Sequence, residues 1–199
     1  MADLRRPTLV IMVRAPVAGA VKTRLARQIG TIEALRFYRS ATASLLRRLG
    51  RHPRWRTVLA VTPDHARAAG FWPAHLPRMA QGRGDLGARM RRCLDQAGPG
   101  PVLLVGSDIP GIMPGHIADA SRLLRSHRLV FGPAEDGGFW LVGRARSRCP
   151  PGLFAGARWS GPNALADCVG NAPLAPGFAA RLRDVDTHED WLRWRRQTR

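Results

Sequence analysis

Residues 102–112 read VLLVGSDIPGI, and this stretch decides the fold. Residues 102–105 are apolar without interruption, which suits a strand buried on both faces of a parallel sheet. Gly106, Ser107 and Asp108 follow at its carboxyl end, and Pro110 then breaks the chain. Ligands of open α/β sheets collect at the carboxyl ends of strands, so Asp108 stands where chemistry is expected. A second apolar run, residues 9–13, ends in Arg14-Ala15-Pro16 and reads the same way. Further strands are predicted over residues 57–61, 78–81, 129–131, 139–142 and 183–185. Helices are predicted over 32–49 with Thr31 as cap, 65–71, from Asp85 or Leu86 to 97, 114–126 with Pro114 at the first position, and 162–169. A last helix is capped by Thr187 with Asp190. The alternation implies a Rossmann-like α/β protein with helices on both faces of a parallel sheet, as a single domain over residues 1–199.

Composition narrows the function classes. The 199 residues can bury a full core, and 45% apolar content fits a globular chain. No apolar run approaches the roughly 20 residues of a membrane span, and the run before Arg14 reads as a strand rather than a signal peptide. Cys93, Cys149 and Cys168 are odd in number and far apart, so neither a disulfide framework nor a zinc site is indicated and a reducing cytoplasm is expected. The net charge of +18 raises a basic nucleic-acid-binding protein as the non-enzyme alternative. The arginines are dispersed, however, as at Arg47 and Arg48, Arg91 and Arg92, and Arg193, Arg195 and Arg196. With no basic stripe interleaved with aromatics, the expectation is a solvated basic surface without a specific nucleic-acid partner or a membrane partner.

Against that arginine bias the exceptions carry information. Of 32 basic residues only Lys22 is a lysine, and a compact ammonium is not interchangeable with a guanidinium where a phosphate is met as a point charge. The 14 acidic residues include four small groups: Asp85; Asp108; Glu135 with Asp136; and Asp184, Asp186, Glu189 and Asp190. Such groups suit a cation, although capping and surface pairing account for some of them.

Residues 13–26, VRAPVAGAVKTRLA, begin where the first strand ends. Pro16 and Gly19 shape a turn, and Lys22, Thr23 and Arg24 open a helix whose amides attract an anion. Val21 stands where a Walker A loop needs glycine, so this is no P-loop. Residues 81–90, QGRGDLGARM, space Gly82, Gly84 and Gly87 as GxGxxG. Asp85 inside that loop would repel a pyrophosphate, so a tight turn presenting Asp85 and Arg89 to a cleft is expected instead of a dinucleotide fingerprint. Residues 131–143, FGPAEDGGFWLVG, bring Asp136 to a ribose, a sugar hydroxyl or a metal, and equally support a hairpin with an Asp-Gly turn. In residues 182–191, LRDVDTHEDW, Asp184 and Asp186 flank Val185 and share one side of a strand. Asp186 is placed to join Asp108 on one hard divalent cation, with the carboxylates within about 6 Å.

The order KTRLA, GDLGARM, GSDIP, FGPAEDGGF and DVDTHED resembles a family of bacterial glycosyltransferase-like proteins. Its members are described as radical-SAM/selenodomain-associated transferases or arsenosugar-biosynthesis glycosyltransferases. They belong to the nucleotide-diphospho-sugar transferase superfamily, whose relatives include guanylyltransferases. The resemblance spans residues 9–191 and implies the GT-A fold, a three-layer α/β/α arrangement with a mostly parallel mixed central sheet. It implies that Arg14, Lys22, Thr23 and Arg24 face phosphates, with Gly82, Asp85 and Arg89 as further nucleotide contacts. Asp108 and Asp186 would be the metal ligands, for Mg²⁺ or Mn²⁺. Gly137, Gly138, Trp159 and Ser160 would contact substrate, and Lys22, Asp108 and Asp136 would be catalytic. One departure matters: glycosyltransferases of this fold usually carry DxD, and here Ser107-Asp108-Ile109-Pro110 offers one aspartate. That departure leans toward nucleotidyl transfer, but the family resemblance makes metal-dependent glycosyl transfer from a nucleotide-sugar to a small-molecule acceptor the leading expectation. Nucleotidyl transfer from an NTP is the alternative, and a homodimer is compatible with either.

Overall fold

The computed structural model describes residues 6–145, 148–185 and 187–197. Its strands are β1 (Thr8–Arg14), β2 (Arg56–Thr62), β3 (Arg78–Ala80), β4 (Val102–Gly106), β5 (Leu129–Pro133), β6 (Phe139–Arg144) and β7 (Gly177–Phe178). They form one mixed sheet in the order β3-β2-β1-β4-β6-β5-β7. β1 pairs in parallel with β2 and β4, β2 with β3, and β5 with β7, while β6 runs antiparallel between β4 and β5. The α-helices are α1 (Thr23–Ile29), α2 (Thr31–Leu49), α3 (Leu86–Gln96), α4 (Pro114–Leu123), α5 (Ala164–Gly170) and α6 (His188–Gln197). This is the expected α/β architecture, with helices on both faces of a mostly parallel mixed sheet.

Strand alternation divides the core in two. Leu9, Ile11 and Val13 of β1, with Leu103 and Val105 of β4, pack on α2 and α4 through Leu45, Leu49, Ile117 and Ala120. Val10 and Met12, with Val102 and Leu104, pack on α3 and α5 through Met90, Cys93, Leu94 and Cys168. Successive side chains of a strand point to opposite faces, so two interleaved apolar sets in one strand require a covered sheet on both sides. A third cluster joins Leu25 of α1, Phe37 of α2 and Val185, with Trp191 and Trp194 of α6 against it. It docks α6 against α1 and α2.

Four expected elements differ. No strand forms over residues 183–185. The sheet closes earlier, at β7 and an isolated bridge from Ala134 to Leu182, after which Val185 leaves the edge for the third cluster. The helix expected over 65–71 is a short 3-10 turn, Asp64–Ala68, held between Pro63 and Pro73. Thr31 is the first residue of α2 rather than its cap, because Gly30 at φ 87° turns the chain between α1 and α2. α5 starts two residues after Pro162, at Ala164. Asp85 does cap α3 through Ala88 N–H, and Thr187 and Asp190 exchange hydrogen bonds at the start of α6.

The registers place the site. Arg14 pairs with Thr62, Val61 with Ala80, and Met12 with Gly106, so the carboxyl ends of β1 to β4 form one rim.

Candidate active site

A cavity of about 590 Å³ opens on that rim, within the range usual for small-molecule sites. Its walls come from the loop after β1, the start of α3, the loop after β4, the β5–β6 turn and the segment before α5. Arg14, Lys22, Thr23, Arg24, Arg89, Asp108, Asp136, Gly138, Trp159 and Ser160, all read from the sequence as site residues, line it together.

Lys22 caps α1 in the left-handed region, φ 47° and ψ 45°. The conformation costs a non-glycine residue energy and turns the side chain inward. Its stem is 4% exposed, and Nζ donates to the Val185 carbonyl at 2.9 Å and pairs with Asp108 Oδ1 at 3.1 Å. Asp108 itself is 62% exposed, so the carboxylate is gripped on one side and open to the cavity on the other. The lone lysine thus reaches the strand-end aspartate and the C-terminal segment together. Arg14 donates through Nη1 to the Ala20 carbonyl and closes the loop, and Arg24 reaches the Ser160 carbonyl at 3.5 Å across the cavity.

α2 supplies the scaffold that sequence reading missed. Tyr38, the chain's single tyrosine, donates to the Arg14 carbonyl and accepts the Arg14 N–H, both at 2.9 Å. With its proton committed, its oxygen accepts from Ser107 Oγ at 3.4 Å, tying the β1 end to the residue before Asp108. Burial pushes the Tyr38 phenol pKa up, so it stays neutral as this arrangement requires. Arg48 donates to the carbonyls of Pro110 and Ile112 and fixes the far side of the Asp108 loop. Solitude was the usable signal: the argument that singled out Lys22 applies equally to Tyr38.

The β3–α3 loop is corrected in part. Arg89 lines the cavity, and Gln81 Oε1 accepts from its guanidinium at 3.1 Å. Gln81 is buried, with its amide donating to the carbonyls of Val13 and Ala60. Asp85 and Gly82 do not line the cavity. The Asp85 carboxylate is consumed by the α3 cap, and the Gly82 N–H donates to Asp64. Gly82 at φ 74° and Gly84 at φ 107° do form the expected tight turn.

In the β5–β6 turn, Asp136 Oδ1 accepts the Gly138 N–H at 2.9 Å while the side chain lines the cavity. Gly137, expected at the substrate, faces away: a Cβ there would lie 2.2 Å from the Pro162 carbonyl oxygen, so its role is close packing. Trp159 and Ser160 line the far wall. Arg158 holds that segment by pairing with Asp167, whose pKa falls to about 2 chiefly through this hydrogen bond. Gly87 of α3 admits the Trp159 ring, since a Cβ would lie 2.9 Å from its Cζ2. The Trp159 Nε1–H is buried without a hydrogen-bond partner among the described residues. Asp184 also lines the cavity, whereas Asp186, the expected second metal ligand, lies outside the described residues. Among the described residues no cluster of three His, Cys, Asp or Glu side chains could hold a metal ion. No helix there is long and apolar enough to cross a membrane.

Residues 45–161 match the family described as "Uncharacterized protein conserved in bacteria (DUF2064)". The chain belongs to that family. The DUF2064 segment includes Arg89, Asp108, Asp136 and Trp159 and leaves Lys22 outside. A comparison with curated proteins finds no match. Among solved structures, a protein of Desulfovibrio desulfuricans G20, provisionally named a nucleotide-diphospho-sugar transferase, is 29% identical with a TM-score of 0.86 over 97% of this chain and 87% of that one. Rv0371c of Mycobacterium tuberculosis H37Rv, solved in complex with manganese, shares the fold at 17% identity and TM-score 0.56, over 94% of this chain and 97% of that one. The 4-diphosphocytidyl-2C-methyl-D-erythritol synthase of Anaerococcus prevotii DSM 20548 shares it at 9% identity and TM-score 0.63, over 98% and 97%.

Proposed function

We propose that this DUF2064 chain is a metal-dependent transferase that moves a glycosyl group from a nucleotide-sugar to a small-molecule acceptor. The carrying observation is the pairing of a buried ammonium, Lys22, with an open carboxylate, Asp108, at the rim of a cavity ringed by Arg14, Arg24 and Arg89. That arrangement fits a pyrophosphate with a hard cation. Asp108 and Asp184 line the same cavity, and Mg²⁺ or Mn²⁺ takes few protein carboxylates and completes its shell on phosphates and water. A divalent cation held there would offset the charge of the departing phosphate. Asp186 is proposed as a further ligand, and the manganese of Rv0371c supports the metal.

The remaining roles belong to side chains. Lys22 orients Asp108 and offers its charge to the phosphates, while Arg14 and Arg24 flank them. Asp136 has Oδ1 committed to Gly138, which leaves Oδ2 to accept a hydroxyl proton from ribose or acceptor. Trp159 and Ser160 form the acceptor wall. The provisional name of the Desulfovibrio protein supports a sugar donor, and the sequence motifs support the narrower radical-SAM-associated, arsenosugar-type family. Nucleotidyl transfer is the second reading, favoured by the lone aspartate of Ser107-Asp108-Ile109-Pro110.

A thermal-shift screen of NTPs and nucleotide-sugars with and without Mg²⁺ or Mn²⁺ tests the reading. Stabilisation is expected only with metal present and is lost in Asp108→Asn. Release of a nucleoside diphosphate marks glycosyl transfer, and release of pyrophosphate marks nucleotidyl transfer. A melting temperature indifferent to every nucleotide, with or without metal, would overturn both.

A further inference from the structure

A second cavity, of about 500 Å³, lies on the outer side of α2. It is walled by α2 and by the segment after the 3-10 turn, and its lining contains no acidic residue. The floor is apolar, from Leu46, Ala43, Pro73 and the ring of Trp72. Phe71 stands edge-on to Trp72 and is 51% exposed, so it adds an aromatic edge to the apolar floor. Arg39, Arg47 and Arg51 line the rim, and none of the three makes a hydrogen bond or ion pair with the described residues. Elsewhere arginines do find carboxylates, as Arg36 does Glu33 and Arg158 does Asp167.

We propose that this cavity is a binding site for a small anion with an apolar, ring-sized body, such as an aryl phosphate, sulfonate or carboxylate. Apolar floor, exposed aromatic edge and cationic rim match the two ends of such a molecule. A plain phosphate would leave the floor unused, and a neutral ring would leave the three guanidinium groups unmet. Tyr38 lines both this cavity and the rim cavity, so the two sites share one wall.

The test uses the full chain and anilinonaphthalene sulfonate as probe, with binding read by fluorescence and stoichiometry by calorimetry. One saturable site is expected. Ala43→Trp, which fills the floor from an exposed helix position, should abolish it. Arg47→Glu with Arg51→Glu should weaken it about tenfold, as expected for two partly exposed ion pairs reversed in sign. Arg24→Glu and Arg89→Glu, in the rim cavity, should leave it intact. Melting curves of each variant separate lost binding from lost folding. The proposal fails if the dye binds without saturation, if it follows the rim-cavity variants, or if the α2 variants bind normally. It also fails if sedimentation shows a dimer that Ala43→Trp dissociates, because the face would then be covered by a second copy.

Discussion

Two buried cations occupy opposite ends of the central sheet and do different work. Arg144 ends β6 beside Val102, at the amino end of the parallel strands, and is 2% exposed. Its guanidinium donates to the carbonyls of Leu94, Gly98 and Gly100. These are the carbonyls that α3 and the loop after it cannot satisfy internally, so Arg144 acts as a cap built from another strand. Lys22, at the carboxyl ends, directs its ammonium to the Val185 carbonyl and to the exposed carboxylate of Asp108 beside the rim cavity. A buried cation surrounded by carbonyls has nothing left for a ligand. A buried cation facing an open carboxylate shares its field with whatever binds there. Burial pushes the Arg144 pKa down, yet a guanidinium starts so high that it stays charged, which suits a fixed structural role.

The comparison breaks first at Arg144. Arg144→Leu takes the donor from the buried carbonyl of Leu94, at about 1–3 kcal/mol, and from the part-buried carbonyls of Gly98 and Gly100, at less each. A loss of roughly 3 kcal/mol or more is expected, lowering the melting temperature by about 6–12 °C in a domain of this size. Nucleotide binding by the remaining folded protein should be unchanged. A variant that melts like the wild type would show that water replaces the arginine and that the cap is dispensable.

Lys22 should give the reverse pattern. Lys22→Ala removes a charge-assisted contact worth about 1.5–3 kcal/mol, so metal-supported nucleotide affinity should fall roughly ten- to a hundredfold. Lys22→Arg should recover only part of it, because the guanidinium needs a wider fork than the left-handed turn provides. Nucleotide titration with Mg²⁺ present decides the matter. Wild-type affinity in both variants would make Lys22 a second Arg144, holding Asp108 and the C-terminal segment for stability alone.

This contrast also explains what was legible in the sequence. Lys22 and Asp108 are legible because composition and strand position alone single them out in the sequence. The sheet was readable because residues 9–13 and 102–105 are apolar on both faces, which only a covered parallel strand permits. Arg144 was invisible: its partners are main-chain carbonyls about 50 residues away, and carbonyls have no sequence signature. Asp85 misled for a related reason. Capping and ligand binding both favour an aspartate before a helix, and only the hydrogen bond to Ala88 N–H distinguishes them. The strand expected over 183–185 failed because Val185 packs better against Leu25 and Phe37 than at the sheet edge, a choice that local alternation cannot encode.

Gly87 sharpens the comparison on the ligand side. Alanine in a helix interior is normally favoured over glycine by about 1 kcal/mol. Here the new Cβ would lie 2.7 Å from Phe154 Cβ and 2.9 Å from Trp159 Cζ2. Overpacking of this kind costs about 1–3 kcal/mol; Trp159 on its loop can yield, but Phe154 Cβ, fixed close to its own backbone, cannot. Gly87→Ala should therefore destabilise the fold by about that amount and weaken substrate binding several-fold. Unchanged binding would remove Trp159 from the acceptor wall.

The smallest effect belongs to the exposed pair that carries Trp159. Arg158 and Asp167 hydrogen-bond through side chain and backbone, and the Asp167 pKa is lowered to about 2. In the unfolded chain an aspartate titrates near 3.9. A group whose folded pKa is depressed stabilises above the unfolded value and loses that contribution as pH falls through the folded one. The pair should thus contribute fully from neutral pH down to about 4, and the contribution should vanish near 2. Both groups meet solvent, so the effect on melting is small, as for surface ion pairs generally. Asp167→Asn should melt slightly below the wild type at neutral pH, with a gap that is constant above about pH 4 and closes below it. Binding should fall by less than in Gly87→Ala, because the asparagine oxygen can still accept the Arg158 N–H. A gap that stays open in acid would mean that Asp167 acts by packing rather than by charge. The Trp159 segment would then be held the way Arg144 holds α3, by geometry alone.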